Sequence, residues 1–89
     1  MGIDKKNQSP CLSDSDISAI KTRYEQATSG PWESFVEGRD HMGGDSFIRT
    51  GGDDIYLTGA TVSDQDFIAH ARQDIPRLIA EIERLKKLV

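Results

Sequence analysis

Apolar residues recur at helical spacing in two segments of the chain, and the first segment lies near its beginning. On one face of that segment stand Ile17, Ile20, Tyr24 and Ala27. Ser13 followed by Asp16 is a capping-box pattern, which predicts that a helix begins there. Gly30, which tolerates a left-handed cap, and Pro31, which cannot continue the hydrogen-bond ladder, are expected to end it. The pattern therefore predicts one helix immediately before Trp32.

The last third of the chain carries the longer pattern. Its apolar residues alternate between spacings of three and four, which makes a heptad seam of Ile68, Ala71, Ile75, Leu78, Ile82, Leu85 and Val89. Ser63 followed by Asp66 predicts a second capping box at the start of this helix. Pro76 is expected to kink the helix, because it removes one backbone donor. The seam predicts packing against the first helix or, as we favour, self-association with a second copy.

Short β-strand signals fill the middle of the chain. Three stretches are rich in aromatic and β-branched residues: "WESFVE" at 32–37, "SFIRT" at 46–50 and "DIYLT" at 54–58. A glycine-containing loop at 38–45 and a tight turn at 51–53 separate them. We therefore expect an α+β fold with an N-terminal helix, a three-stranded antiparallel sheet and a long, proline-kinked C-terminal helix used for packing and oligomerisation.

The length of the chain allows one domain. Its 89 residues are 36% hydrophobic and 29% charged, which is typical of a folded soluble protein. Residues 1–12 are polar and show no period, so we expect a flexible N-terminal arm followed by a single domain at 13–89. No apolar run approaches the ~18 residues that mark a membrane span, which predicts no membrane partner. The single cysteine, Cys11, indicates a reducing cytoplasm.

The balance of charge argues against polymeric nucleic acid as a partner. A formal net charge of −4 repels a phosphate polymer at long range and provides no basic footprint. A small anion can still bind, because one or two arginines focused in a pocket outweigh a diffuse negative charge.

The sequence shows no catalytic pattern. His41 and His70 stand alone, without a cysteine or a second histidine at metal-ligand spacing. The glycine pairs at 43–44 and 51–52 lack the Gly-Lys-Ser or Gly-Lys-Thr end of a phosphate-binding loop and are typical of turns. We therefore predict that the protein is not an enzyme and holds neither a metal nor a cofactor.

The remaining groups are suited to binding. Flat aromatic rings, guanidinium groups and hydroxyls near a helix start are the groups that hold a base and a phosphate. The candidate ligand-binding residues are Trp32, Arg49, Tyr56, Thr58 and Arg72. Structural alternatives remain, since Trp32 is also a natural core residue of a small domain and Arg72 flanks the seam, where a salt bridge to a partner helix is ordinary.

Two motifs resemble those of a known family. The segments "ATSGPW" at 27–32 and "DFIAHARQDIPRLIAEIERL" at 66–85 are similar to the "ATPGPW" and "FIAxARxDxPxLxxEIxxL" signatures of small proteins found in phage and prophage genomes. Together they span under a third of the chain, and Ser29 stands where that family usually has proline. The resemblance places weight on Trp32 in the first motif and on Arg72 and Asp74 in the second.

Some members of that family resemble sponges that sequester the cyclic nucleotide signals of bacterial anti-phage defence. The resemblance therefore implies an anti-CBASS phage protein, which acts in the host cell cytoplasm and binds a cyclic dinucleotide without turnover. We expect Trp32 to stack on a purine, and Arg72 and Arg49 to pair with phosphates or the Hoogsteen edge of guanine. Thr58 or Thr61 is expected to add a neutral hydrogen bond. A dimer through the seam would match the two-fold symmetry of such a ligand. The alternative is a protein-binding module that inhibits a host protein through its acidic surface and helical seam.

Overall fold

The computed structural model describes residues 11–40 and 44–88. In chain order these form helix α1 (Asp14–Gln26), strand β1 (Glu33–Phe35), strand β2 (Phe47–Arg49) and helix α2 (Val62–Lys86). The two strands pair as an antiparallel sheet, so the predicted α+β class is confirmed. Of the arm predicted at 1–12, residues 1–10 lie outside the described part, and so does His41 in the loop.

Helix α1 begins as predicted. The Ser13 hydroxyl accepts from the backbone nitrogen of Asp16 at 3.0 Å, and the Asp16 carboxylate accepts from the backbone nitrogen of Ser13 at 2.9 Å. The predicted apolar face is buried or half-buried along its whole length, at Ile17, Ile20, Tyr24 and Ala27. Ala27 caps the helix in an extended conformation, and Gly30 has no positive φ, so the predicted left-handed cap at Gly30 is wrong.

The sheet has two strands instead of the three expected. From the stretch predicted as a third strand, at 54–58, one bridge remains: the nitrogen of Ile55 donates to the oxygen of Ile48 at 2.9 Å, and the nitrogen of Ile48 to the oxygen of Ile55 at 2.8 Å. The Thr50 hydroxyl closes the turn between them by donating to the carbonyl of Asp53 at 2.8 Å. The pairing stops there because the chain bends at Gly59, whose φ is 84°, to reach α2.

The cap of helix α2, Thr61, lies two residues before the predicted one. The Thr61 hydroxyl accepts from the backbone nitrogen of Asp64, and the Asp64 carboxylate accepts from the backbone nitrogen of Thr61, both at 3.0 Å. The capping box expected at Ser63 and Asp66 is therefore wrong. Both pairs have the same spacing, but Asp66 is occupied by an ion pair with Arg39, so the upstream pair forms the cap.

The inner face of α2 does not coincide with the predicted seam. The helix runs as one element through Pro76, and its buried residues are Gln65, Ala69 and Ile79. Within the seam, Ala71 and Ile82 are half-buried. The larger seam residues are exposed, namely Ile68, Ile75, Leu78 and Leu85. Packing within the chain therefore leaves most of the seam uncovered.

Helix α1 and the sheet both lie along α2. Lys21 of α1 pairs with Glu83 at 3.1 Å, and Asp14 pairs with Lys86, so α1 runs antiparallel to the C-terminal half of α2. The sheet packs on the N-terminal half, with Ile48 fully buried.

A buried glutamine fixes the sheet to α2. Gln65 is 5% exposed, and its Nε2 lies 2.9 Å from the Ser34 hydroxyl, 3.2 Å from the Phe35 carbonyl and 3.1 Å from the Phe47 carbonyl. One side chain of α2 therefore provides a polar anchor for β1 and β2 together, which sets the position of both strands relative to the helix.

Candidate functional site

The turn between α1 and β1 brings two of the predicted site residues together. The indole Nε1 of Trp32 and the guanidinium Nε of Arg72 both donate to the carbonyl oxygen of Thr28, each at 3.0 Å. Both side chains are half-buried. We call Thr28, Trp32 and Arg72 the Thr28 corner.

A glutamine of α2 holds the backbone of this corner. The Oε1 of Gln73 accepts from the nitrogen of Trp32 at 2.6 Å, and its Nε2 donates to the oxygen of Trp32 at 3.2 Å. Gly30 lies close by, since a Cβ there would stand 3.4 Å from both Arg72 Cγ and Gln73 Oε1. Sequence reasoning missed Gln73, and the only signal was its helical spacing from Ala69 on the inner face of α2.

The guanidinium of Arg72 is only partly used by the fold. Its Nε is fixed on Thr28, but its two terminal nitrogens make no hydrogen bond to another residue of the described ranges, and neither does the group form an ion pair with them. Trp32 is neither enclosed in the core nor fully exposed. The corner therefore presents a positioned ring beside a positioned cation.

Two other candidate residues lie on the outer face of the sheet. The rings of Phe35 and Phe47 stack with 5.3 Å between centroids, and the Tyr56 ring lies 5.9 Å from that of Phe47. The Arg49 guanidinium carbon stands 4.6 Å from the Phe35 centroid, within cation–π range. Because side chains alternate along a strand, this aromatic face is opposite to the one that carries the buried Ile48.

Thr58 lies in a groove at the start of α2. The groove has a volume of about 430 Å³, and Tyr56 and Thr58 both line it. Glu37 and Asp45 line it as well, whereas no arginine or lysine of the described residues does. Two carboxylates without a cation make this groove unfavourable for a phosphate.

The five predicted site residues therefore fall into separate places. Trp32 and Arg72 meet at the Thr28 corner, and Arg49 and Tyr56 share the aromatic face. Thr58 lies in the acidic groove, which Tyr56 also lines. Within residues 11–40 and 44–88, no hydrogen bond, ion pair or ring contact joins the corner to the aromatic face.

Arg39, which also has the planar guanidinium of a phosphate ligand, is used by the fold. Its Nη1 and Nη2 donate to the Asp66 carboxylate at 2.8 and 3.1 Å, and its Nε donates to Asp40 at 3.0 Å. These bonds lower the pKa of Asp66, to which the Ser34 hydroxyl also contributes. Arg39 likewise lowers the pKa of Asp40, helped by the backbone nitrogen of Val36. The arrangement fixes the loop after β1 to the first turns of α2.

The described ranges offer no group of three histidine, cysteine, aspartate or glutamate side chains placed to hold a metal ion. In the same part of the chain, neither helix has the length and apolar character needed to cross a membrane.

Comparisons of the chain with known families, curated proteins and solved structures find no match. The candidate site is therefore interpreted from its own geometry.

Proposed function

We propose that this protein is a non-catalytic binding protein that sequesters a small cyclic nucleotide, and that the Thr28 corner holds the ligand. One observation carries the proposal: the indole of Trp32 and the guanidinium of Arg72 are positioned on one carbonyl oxygen, half-buried, with two guanidinium nitrogens still able to donate. The ring can stack on a base, and the guanidinium can bind a phosphate.

The geometry also favours affinity. Because its Nε is already bonded to Thr28, Arg72 loses less side-chain freedom when a ligand binds than a free arginine does. Partial burial strengthens its hydrogen bonds, since water screens them less. A hydrogen bond to a charged group contributes about 1.5–3 kcal/mol, which is about tenfold or more in affinity.

The resemblance of segments 27–32 and 66–85 supports the class of ligand. On this proposal the protein is a phage product that lowers the concentration of a cyclic nucleotide immune signal in the host cell cytoplasm. Such a sponge needs affinity without turnover, so it requires no general base and no metal. Arg49 and Tyr56, on the aromatic face, lie apart from the proposed site.

Calorimetry with a panel of cyclic dinucleotides tests the proposal. We expect binding by the full chain, loss of most affinity in Trp32→Leu, and a fall of about tenfold or more in Arg72→Gln. Arg72→Lys should retain part of the affinity, because it keeps the charge but loses the planar pair of donors. Arg23→Gln, at an exposed arginine of α1, is the matched control and should bind normally.

The result that overturns the proposal is equally direct. Either no heat with any cyclic dinucleotide at micromolar protein, or equal affinities for Arg72→Gln and Arg23→Gln, removes the Thr28 corner as a nucleotide site. Circular dichroism of each variant shows whether the fold is retained, so that lost binding is not confused with unfolding.

The second candidate function is inhibition of a host protein through α2, which the exposure of Ile75, Leu78 and Leu85 favours. Extraction of small molecules from the purified protein separates the two. A bound nucleotide supports the sponge, whereas a stoichiometric protein partner that is lost in Leu78→Glu supports the inhibitor.

A further inference from the structure

The outer face of α2 combines exposed apolar residues with a row of charges. Leu78 is 62% exposed, and Leu85 and Ile75 are 47% and 40% exposed. A shallow groove of about 720 Å³ runs beside them, lined by Asp74, Arg77, Leu78, Ala80, Glu81 and Arg84. These residues belong to α2 alone, so the rest of the described chain does not cover this side of the helix.

The charges of this face alternate in sign. Asp74, Arg77, Glu81 and Arg84 follow one another at spacings of three, four and three, which places them in one row along the helix. We call these four residues the charge row. Within it Arg84 pairs with Glu81 at 2.6 Å, whereas Asp74 and Arg77 form no ion pair with any residue of the described ranges.

The charge row is complementary to itself when its direction is reversed. Asp74 and Arg84 lie five residues to either side of Ile79, and Arg77 and Glu81 lie two residues to either side of it. A second α2 laid antiparallel and centred on Ile79 therefore sets Asp74 opposite Arg84 and Arg77 opposite Glu81. Each opposition occurs twice by symmetry, as in any two-fold interface.

We propose that the outer face of α2 pairs with the same face of a second copy in an antiparallel two-helix contact centred on Ile79. In this pairing, residues 72–86 of the two helices overlap over a length of about 22 Å. Each copy contributes Leu78 and Leu85 to the contact, because these residues follow Asp74 and Glu81 by four residues and so lie beside the charge row.

The charge row selects the antiparallel direction. In an antiparallel pair, equivalent flanks of the two helices meet, so one charge row faces the other. In a parallel pair, the charge row faces the opposite flank of the partner, where Ile79 is buried and Lys86 is paired with Asp14 in its own chain. Arg72, on the same flank, is positive and is bonded through Nε to Thr28, and Glu83 is paired with Lys21. No unpaired carboxylate on that side of the described helix therefore matches Arg77 and Arg84. The inference is independent of the nucleotide proposed above, because none of the charge-row residues belongs to the Thr28 corner.

Sedimentation of the full chain and of two charge variants tests the pairing. The acidic variant Arg77→Glu/Arg84→Glu carries four negative charges in the row, and the basic variant Asp74→Arg/Glu81→Arg carries four positive ones. We expect the unaltered protein to dimerise and each variant alone to associate at least tenfold more weakly, since like charges then face each other. An equimolar mixture of the two should form a heterodimer.

A matched control separates the effect of net charge from the effect of the charge row. Arg23→Glu/Lys87→Glu changes the net charge as much as the acidic variant does, but at exposed positions outside the charge row, and it should dimerise like the unaltered protein. All substitutions are at exposed positions, and circular dichroism verifies that each variant is folded.

A distance measurement tests the direction. Nitroxide labels on Lys87→Cys, in a Cys11→Ser background, should lie about 24 Å apart along the axis in the antiparallel pair, sixteen residues of helix rise. In a parallel pair they lie side by side. A monomer at all concentrations, association that the charge variants do not weaken, a mixture that fails to restore it, or labels lying side by side each overturns the proposal.

Discussion

Gln73 binds the backbone of Trp32 through both ends of its amide, accepting from the nitrogen at 2.6 Å and donating to the oxygen at 3.2 Å. The strand of the sheet that begins directly after Trp32 is thereby tied to the middle of α2. Gln73 thus fixes the backbone of Trp32, and the Thr28 carbonyl accepts from its indole Nε1.

Replacing Gln73 by leucine is therefore expected to destabilise the protein. The change removes both hydrogen bonds to Trp32 and leaves its backbone groups without these partners in a half-buried place, which costs about 1–3 kcal/mol in the free energy of unfolding. Urea unfolding followed by tryptophan fluorescence measures it. Gln26→Leu, at the exposed last residue of α1, is the control, and an equal loss in both variants would contradict the prediction.

The position of the α2 cap gives a second prediction. Thr61→Ala should lower the free energy of unfolding by about 1 kcal/mol, because it removes the acceptor for the backbone nitrogen of Asp64. Ser63→Ala should cost much less, since Ser63 lies inside the helix and makes no capping bond. Thermal or urea unfolding of the pair decides the question. A larger effect at Ser63 would place the cap where the sequence pattern first suggested it.

The third prediction concerns the pH dependence of stability. Arg39 lowers the pKa of Asp66 and of Asp40 in the folded state, so the stability that these pairs contribute is present above the ordinary carboxylate pKa of about 4 and is lost as pH falls through the lowered values. Arg39→Gln should therefore be less stable than the unaltered protein at neutral pH, and the difference should narrow towards about pH 3.

Urea unfolding at the two pH values measures this difference. Arg23→Gln is the control, because Arg23 forms no ion pair with the described residues, and its effect should not narrow on acidification. If the difference in the free energy of unfolding between Arg39→Gln and the unaltered protein stays constant with pH, the ion pairs of Arg39 are excluded as its cause.

A fourth prediction tests the close approach that supports the Thr28 corner. The nitrogen of Gly51 donates to the carbonyl of Ser29 at 2.8 Å, and a Cβ on Gly51 would stand 2.8 Å from that same oxygen. Gly51→Ala should therefore force the two turns apart and cost about 1–3 kcal/mol. Gly52→Ala should be milder, since its Cβ would meet the Thr28 methyl at 3.2 Å. Equal free energies of unfolding for Gly51→Ala and Gly52→Ala would contradict this prediction, because they would show that the two turns separate freely.

The two helices were the part of the fold that apolar periodicity could predict. The four-residue apolar face of α1 is covered as expected, because local spacing determines which side of a helix can be buried. The prediction of a third strand was wrong because strand pairing depends on where the chain must bend. Here the chain makes a single bridge at Ile55 and then bends at Gly59. The inner face of α2 was not predictable from apolar residues, since Gln65 and Gln73 fix it through hydrogen bonds.

The candidate site, too, could be predicted from the sequence only in part. Residue type alone selected Trp32 and Arg72, and the structure brings them to one carbonyl. The same reasoning could not separate Arg49 and Tyr56 from them, because strand register, which a single sequence leaves open, places these two on another surface.

Among the described elements, α1 packs only against α2, and both strands rest on that same helix. The apolar sides of α1 and of the sheet are therefore covered only once α2 has been synthesised. During translation both emerge before their covering helix, and assembly must wait until α2 has left the ribosome.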